Sequence, residues 1–237
     1  MSTKMVYLQP APIRIWHWLN AFGIITLAVS GAQIRFPEYI TMLGSYRSAI
    51  MLHNTAGIVV ALSFSLWFIY YKLVANSLAD IYIPKGSDLT TGLFRQAVFY
   101  FFAYFFGVPN PHHATPGSKF NPLQKSAYLT IMFVLMPFVS LTGILLMNVG
   151  PMREIVLLIG GLKILVAVHF LLACSLTAFL FTHVYLATLG QTPLAYFKPM
   201  WTGWEKDEHH EAEQAHLQTL NQSGSGTIPA VQVLRNS

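Results

Sequence analysis

Apolar residues in this chain do not alternate with polar ones. They come in long, nearly unbroken runs: roughly 15–36, 49–73, 126–148 and 162–189. A helix needs about 20 apolar residues to cross a hydrocarbon core of about 30 Å, so the pattern predicts four transmembrane helices. Pro137 lies inside the third run and predicts a kink there, because proline is tolerated within spans. A fifth run, "GLFRQAVFYFFAYFFGV" at 92–108, is short and strongly aromatic, with Arg95 near its start. It reads as a helix lying in the membrane interface. From about residue 205 the chain turns polar, opening on "EKDEHHEAEQAH" and ending in Ser/Gly/Asn-rich sequence. This reads as a short helix followed by disorder. The predicted fold class is all-α: an integral membrane four-helix bundle, with an interfacial helix between spans two and three. Residues 1–204 form the membrane domain and 205–237 a polar cytoplasmic tail.

Composition strengthens the membrane assignment. Of 237 residues, 54% are hydrophobic and 10% charged, where a soluble domain carries about 25% charged residues. Seventeen Phe, eleven Tyr and five Trp suit interfacial aromatic belts. Cys174 is the single cysteine, which excludes a disulfide framework and a cysteine metal site and reads as packing. No C-x-x-C-H haem-attachment motif is present. The N-terminus does not read as a cleaved signal peptide. The net charge of +5 reports topology rather than nucleic-acid binding. With the N-terminus inside, Lys4, Arg14, Lys72, Lys85, Arg95, Lys119, Lys125, Lys198, Lys206 and Arg235 fall on inner segments. Only Arg35, Arg47, Arg153 and Lys163 fall outside. By the positive-inside rule both termini are cytoplasmic.

The candidate chemistry lies in the histidines. Four of the nine, His17, His53, His169 and His183, fall in spans, where an ionisable side chain is costly and marks function by default. Threading the chain in, out, in, out, in puts His17 at the depth of His183 on the inner side. The same threading puts His53 at the depth of His169 on the outer side. Fourteen residues separate His169 from His183, close to four full helical turns, so both project from one face about 21 Å apart. That spacing leaves room for two flat macrocycles, each gripped by a histidine from either side. Neutral imidazole is a good iron ligand, and bis-His ligation suits electron transfer. Were 92–108 to span as well, the pairs would become His17 with His169 and His53 with His183. The charge bias favours the four-span arrangement. Gly57, four after His53, shares its face and reads as room for a planar group or as close helix packing; Gly23 and Gly31 read the same way. Arg14, one turn before His17, reads as a propionate partner or a topology anchor. His112 and His113 read as loop residues. The tail cluster His209, His210, Glu213 and His216 reads as a solvated helix rather than a metal site.

"RIWHWLN" opening span one, "LHNTAG" opening span two, "KFNPLQKSAY" leading into span three, and two histidines fourteen apart in span four together resemble one superfamily. It is that of the di-haem cytochrome b subunits of formate dehydrogenase N, thiosulfate reductase and nickel–iron hydrogenase. The form of "HNTAG" and "KFNPLQK" is most similar to thiosulfate reductase cytochrome b subunits. The resemblance covers residues 10 to about 200. It implies two b haems with bis-His ligation: His17 and His183 on the inner haem, His53 and His169 on the outer. It also implies a quinone site (menaquinone or ubiquinone) beside the inner haem, walled by Asn121 with Lys119, Gln124 and Lys125 as neighbours. From the residues alone, Asn121-Pro122 starts a turn or caps a helix. The resemblance further implies a bacterial or archaeal cytoplasmic membrane. Its implied partner is a periplasmic redox subunit: an iron–sulfur protein, a molybdopterin oxidoreductase complex, a hydrogenase or a multihaem cytochrome c. The formate dehydrogenase type carries His-Pro where this chain has His53-Asn54, and its tail differs, which bears on the partner more than on the haems.

The function that follows is electron transfer between a partner on the outer face and the quinone pool, with no site for the partner's own chemistry in this chain. A histidine-lined transporter or metal-ion channel would also place acids in its spans, and the cores of these spans have none. A plain membrane anchor would not match its histidines in depth.

Overall fold

The computed structural model describes residues 5–84, 86, 88–108, 110–112, 120–189 and 194–206. Strand β1 (Met5–Tyr7) leads into helix α1 (Ala11–Arg35). Helix α2 (Tyr46–Ile69) is prolonged by a π-helical stretch to Val74. Two short helices follow, α3 (Leu78–Tyr82) and α4 (Leu93–Phe101). Helix α5 (Pro122–Thr130) runs through a π-helical turn, Ile131–Leu135, into α6 (Met136–Met147). Next come α7 (Arg153–Leu158), α8 (Leu162–Thr188), α9 (Lys198–Thr202) and strand β2 (Trp204–Lys206). Among the described residues, four helical segments are long and apolar enough to cross a membrane: Ala11–Arg35, Tyr46–Val74, Pro122–Met147 and Leu162–Thr188.

Local signals set these boundaries. Pro12 stands in the first turn of α1, where its missing N–H costs nothing. Ser45 caps α2 by accepting from the Ser48 N–H at 3.1 Å. Asn121 and Gln124 make a reciprocal capping box on α5, at 2.8 and 2.9 Å, with Pro122 at the first helical position. Gly160 and Gly161, at φ 104° and 86°, turn the chain into α8 through backbone that side-chain-bearing residues resist. Pro137 cannot donate to the Phe133 carbonyl. The helix answers by widening into the π turn just before it, where Met136 N–H reaches back to Ile131.

Burial is inverted relative to a soluble protein. Leu66, Leu171 and Phe181 are exposed, while Asn20, Ser30, Gln33, Ser63 and Thr142 are buried. The bundle thus presents apolar side chains outward, as lipid requires, and gives each of these buried polar side chains at least one hydrogen-bond partner within. Helix α1 lies tightly on α2. The absent side chain of Gly23 lets Val60 Cγ2 approach the α1 backbone. Asn20 Nδ2 donates to Ser63 Oγ at 2.8 Å and Trp16 Nε1 to the Ser63 carbonyl at 3.2 Å. Small residues and interhelical hydrogen bonds of this kind are what associate helices in lipid. Helix α8 packs mainly on α6.

Two features differ from expectation. The run 92–108 is not one helix. It breaks at Phe102 (φ −134°, ψ −63°) into α4 and a 3-10 turn, Ala103–Phe106, closed by left-handed Gly107. Successive aromatic residues are weak helix formers, and nine helical residues rise only about 13 Å, too little to cross. The buried side chains of α4 are Gln96 and Phe99, with Phe94 and Phe101 exposed. The second difference is an addition to the all-α fold. Strands β1 and β2 pair antiparallel, Met5 opposite Lys206 and Tyr7 opposite Trp204. Glu205 and Lys206 therefore complete a strand and do not start a helix. Gly203, at φ 87°, permits this, since a Cβ there would collide with the Tyr7 ring. The tail histidines His209, His210 and His216, with Glu213, and also His113 and Lys119, lie outside the described residues.

Candidate functional site

The four span histidines meet in two pairs. The His17 and His183 rings have centroids 6.2 Å apart, inclined at 54°. The His53 and His169 rings have centroids 6.3 Å apart, inclined at 75°. His17 projects from the start of α1 and His183 from the end of α8, at the end of the bundle where β1, β2 and α9 gather. There Trp18 Nε1 donates to the Met200 carbonyl at 2.9 Å and Arg14 Nη1 donates to the Trp201 carbonyl. His53 and His169 form the second pair toward the other end. Two helices agree on the separation. Fourteen residues divide His169 from His183 along α8, and fourteen divide His17 from Gly31 along α1, where Gly31 touches His53. Both spacings give about 21 Å along the helix axes.

The second pair is held by neighbours on two other spans. His53 Nδ1 lies 3.0 Å from Ser30 Oγ, and His169 Nδ1 lies 2.9 Å from Thr142 Oγ1. Each hydroxyl has one proton and has already committed it. Ser30 donates to the Thr26 carbonyl at 2.6 Å, and Thr142 to the Phe138 carbonyl at 2.8 Å. Each hydroxyl oxygen therefore accepts, and each Nδ1 carries the proton. Both rings are thereby fixed in the tautomer whose Nε2 keeps its lone pair. The residue after each hydroxyl is glycine. A Cβ on Gly31 would stand 3.2 Å from His53 Cε1, and one on Gly143 would stand 3.3 Å from His169 Cε1.

The first pair is held differently. Among the described residues, His17 Nδ1 and Arg14 Nε are buried with no hydrogen-bond partner. They are two orphaned nitrogens one turn apart on α1. His17 meets Trp18 edge-on at 5.3 Å, and Phe179 stacks on His183 at 5.6 Å.

The remaining site candidates sit as follows. Gly57 faces Leu27, which a Cβ would meet at an ordinary 3.8 Å. Asn121 is buried, its side-chain oxygen taken by the capping box and its amide directed to the Tyr100 hydroxyl at 3.4 Å. Gln124 is the other half of that box. Lys125 forms an ion pair with Asp88 at 2.9 Å. An aromatic cluster joins this region to the first histidine pair. Trp16 stacks on Trp67 at 5.7 Å, Trp67 meets Tyr82 at 5.0 Å, and Tyr82 meets Phe120, beside Asn121, at 5.7 Å. Burial, reinforced by Tyr71 and Tyr128, pushes the Tyr82 phenol well above its usual range, so it stays protonated.

The arrangement fits a metal held between two imidazoles. A metal–imidazole bond is about 2.0–2.1 Å for zinc. With each ring centre about 1.1 Å from its nitrogen, two trans imidazoles put their centroids about 6.3 Å apart. Engaged Nδ1–H groups, as on His53 and His169, are also the outer-shell pattern of metal-binding histidines. Among the described residues no three or more His, Cys, Asp or Glu side chains converge on one point. The reading from sequence passed over Ser30, Thr142 and Gly143. The dipeptides "SG" and "TG" at that depth single them out only once the facing helix is known.

Comparison with known proteins agrees with these features. The chain is 32% identical over 206 residues to the protein named cytochrome YdhU of Escherichia coli (strain K12), covering 86% of this chain and 76% of that one. It is 30% identical over 146 residues to a Ni/Fe-hydrogenase B-type cytochrome subunit of Rhodobacter capsulatus, covering 58% of this chain and 53% of that one. It is 39% identical over 64 residues to the formate dehydrogenase cytochrome b556(fdo) subunit of Escherichia coli (strain K12), covering 26% and 30%. Residues 8–203, all four apolar helices included, match the family model described as prokaryotic cytochrome b561. The chain is therefore a member of the prokaryotic cytochrome b561 family, a membrane b-type cytochrome.

Proposed function

We propose that this chain is a di-haem electron-transfer subunit that joins a redox partner on the outer face of the cytoplasmic membrane to the quinone pool. His17 and His183 would hold an inner haem b, and His53 and His169 an outer one. The observation that carries this reading is the pair of matched imidazole separations, 6.2 and 6.3 Å, about 21 Å apart along the helices. Haem b supplies a one-electron carrier whose potential is set by its axial ligands and their surroundings.

The chain's own residues have separable tasks. The four histidines would hold the haem irons through Nε2, a bis-His arrangement that suits electron transfer rather than oxygen binding. Arg14, with a buried unpartnered Nε beside His17, suits an inner-haem propionate. Gly57 gives the outer haem room beside His53. Apolar helix surfaces keep water from both pairs. Quinone approaches the inner pair near Asn121. Support for this is the burial of Asn121 and the aromatic cluster from Trp16 to Phe120. The relatives named as hydrogenase and formate dehydrogenase cytochrome subunits support an outer-face redox subunit as the partner, and the basic residues of the inner segments support cytoplasmic termini.

The test is a redox titration of single variants in detergent or lipid nanodiscs. His53→Ala and His169→Ala are each expected to remove one and the same haem, and His17→Ala and His183→Ala the other. A quinol analogue is expected to reduce the wild-type absorption. If His17→Ala and His183→Ala abolish different haems, the pairing is wrong.

A further inference from the structure

The two histidine pairs differ in what their Nδ1 atoms meet, and the difference is built from a repeated feature. Ser30-Gly31 on α1 faces His53 of α2, and Thr142-Gly143 on α6 faces His169 of α8. Two unrelated helix contacts thus reach one solution. A hydroxyl accepts the Nδ1–H, and the following glycine yields the space that Cε1 fills. At the other pair His17 Nδ1 is buried without a hydrogen-bond partner among the described residues.

We propose that Ser30 and Thr142 are positioning residues for the outer haem, which lock the tautomers of both its ligands and hold its reduction potential below the value it would otherwise have. The inference rests on the haem ligation proposed above. An Nδ1–H engaged by an acceptor leaves more electron density on Nε2, making it a stronger donor. A stronger axial donor favours ferric over ferrous iron, and hydrogen bonding around the ligands is one of the protein's levers on haem potential. The hydroxyls serve without adding charge to the membrane interior, because the proton each would otherwise direct at the ring is bound to a carbonyl four residues earlier. The glycines set the distance. With a Cβ only 3.2–3.3 Å from Cε1, an alanine would require either ring to shift by a few tenths of an ångström against its hydroxyl.

The test uses Ser30→Ala, Thr142→Ala and the conservative Ser30→Thr and Thr142→Ser in the full chain, read by haem content, potentiometric titration and the low-spin EPR signals. Both alanine variants are expected to keep two haems. Each raises the outer haem's potential, shifting its reduced-to-oxidised ratio about threefold to tenfold at fixed applied potential, a tenfold change being about 59 mV for one electron. The double variant shifts further, the outer EPR signal moves, and the inner haem is untouched. The conservative variants stay near wild type. Loss of the outer haem in the alanine variants alone gives the same answer, since Thr142→Ser also lacks the methyl and keeps the hydroxyl. An outer potential unchanged by alanine, an equal shift in the conservative variants, or loss of that haem in all four overturns the proposal. A wild-type chain that binds no haem defeats the parent reading instead, before any variant is made.

Discussion

At the residue scale, position along the helix told more than residue type. The four span histidines were legible because their depths follow from counting residues from the ends of apolar runs. Their ring-to-ring juxtaposition is what two spans at matched depth produce. Ser30 and Thr142 were not legible. A hydroxyl inside a span ordinarily bonds its own i−4 carbonyl, and both do. That the same oxygen also accepts from an imidazole depends on which face of the neighbouring helix it meets. Asn121 carries two readings that substitution separates. Its oxygen caps α5, so Asn121→Ala is expected to cost about 1 kcal/mol of stability, measured by thermal or denaturant unfolding in detergent. Asn121→Ser keeps a capping oxygen but not the amide. It is expected to retain stability while slowing quinol-driven reduction, measured by stopped flow.

At the element scale, apolar runs located the spans to within a few residues and misplaced their polar starts. Span one begins at Ala11 rather than 15, and span three at Pro122 rather than 126. Proline starts and the Asn121–Gln124 box extend each helix into sequence that hydropathy counts as loop. The break at Phe102 was invisible for the opposite reason, since hydropathy does not register the weak helix propensity of an aromatic run. Pairwise packing gives a direct test. Gly23→Val would drive a branched side chain into Val60 and part α1 from α2. Overpacking costs about 1–3 kcal/mol, so a lower melting temperature and loss of haem from both α1-dependent pairs are expected. Gly57→Ala, with 3.8 Å to Leu27, is expected to leave the melting temperature near wild type. The short helix α3 contributes a pH response through Tyr82. Its phenol ionises less readily in the fold than in the unfolded chain, whose tyrosines titrate near about pH 10. Its contribution is therefore whole below about pH 10 and falls as pH rises beyond it, because the unfolded state alone releases the proton. Melting curves from pH 8 to 11 are expected to decline above 10, and less steeply in Tyr82→Phe.

At the scale of the whole molecule, an even number of spans returns the chain to the side it started from, and the β1–β2 pairing ties the two ends together there. Strands so short are not readable from sequence. They exist because Gly203 turns the chain beneath Gln9 and because Leu8 and Gln9 donate to its carbonyl at 2.9 and 3.2 Å. This clasp covers the end of the bundle that holds His17 and His183. Its side of the membrane is open to reporter fusions. Alkaline phosphatase joined in the loop after Asn148 is expected to be active, and the same enzyme joined after Lys206 inactive; the reverse pattern would turn the molecule over. The central claim is that the two histidine pairs each hold a haem. Pyridine haemochrome analysis of the purified chain against its protein concentration measures this most directly. Two haems b per chain, with a b-type reduced spectrum on dithionite, are expected. A colourless chain that takes up no added haem, or a single haem that survives loss of either pair, would contradict it.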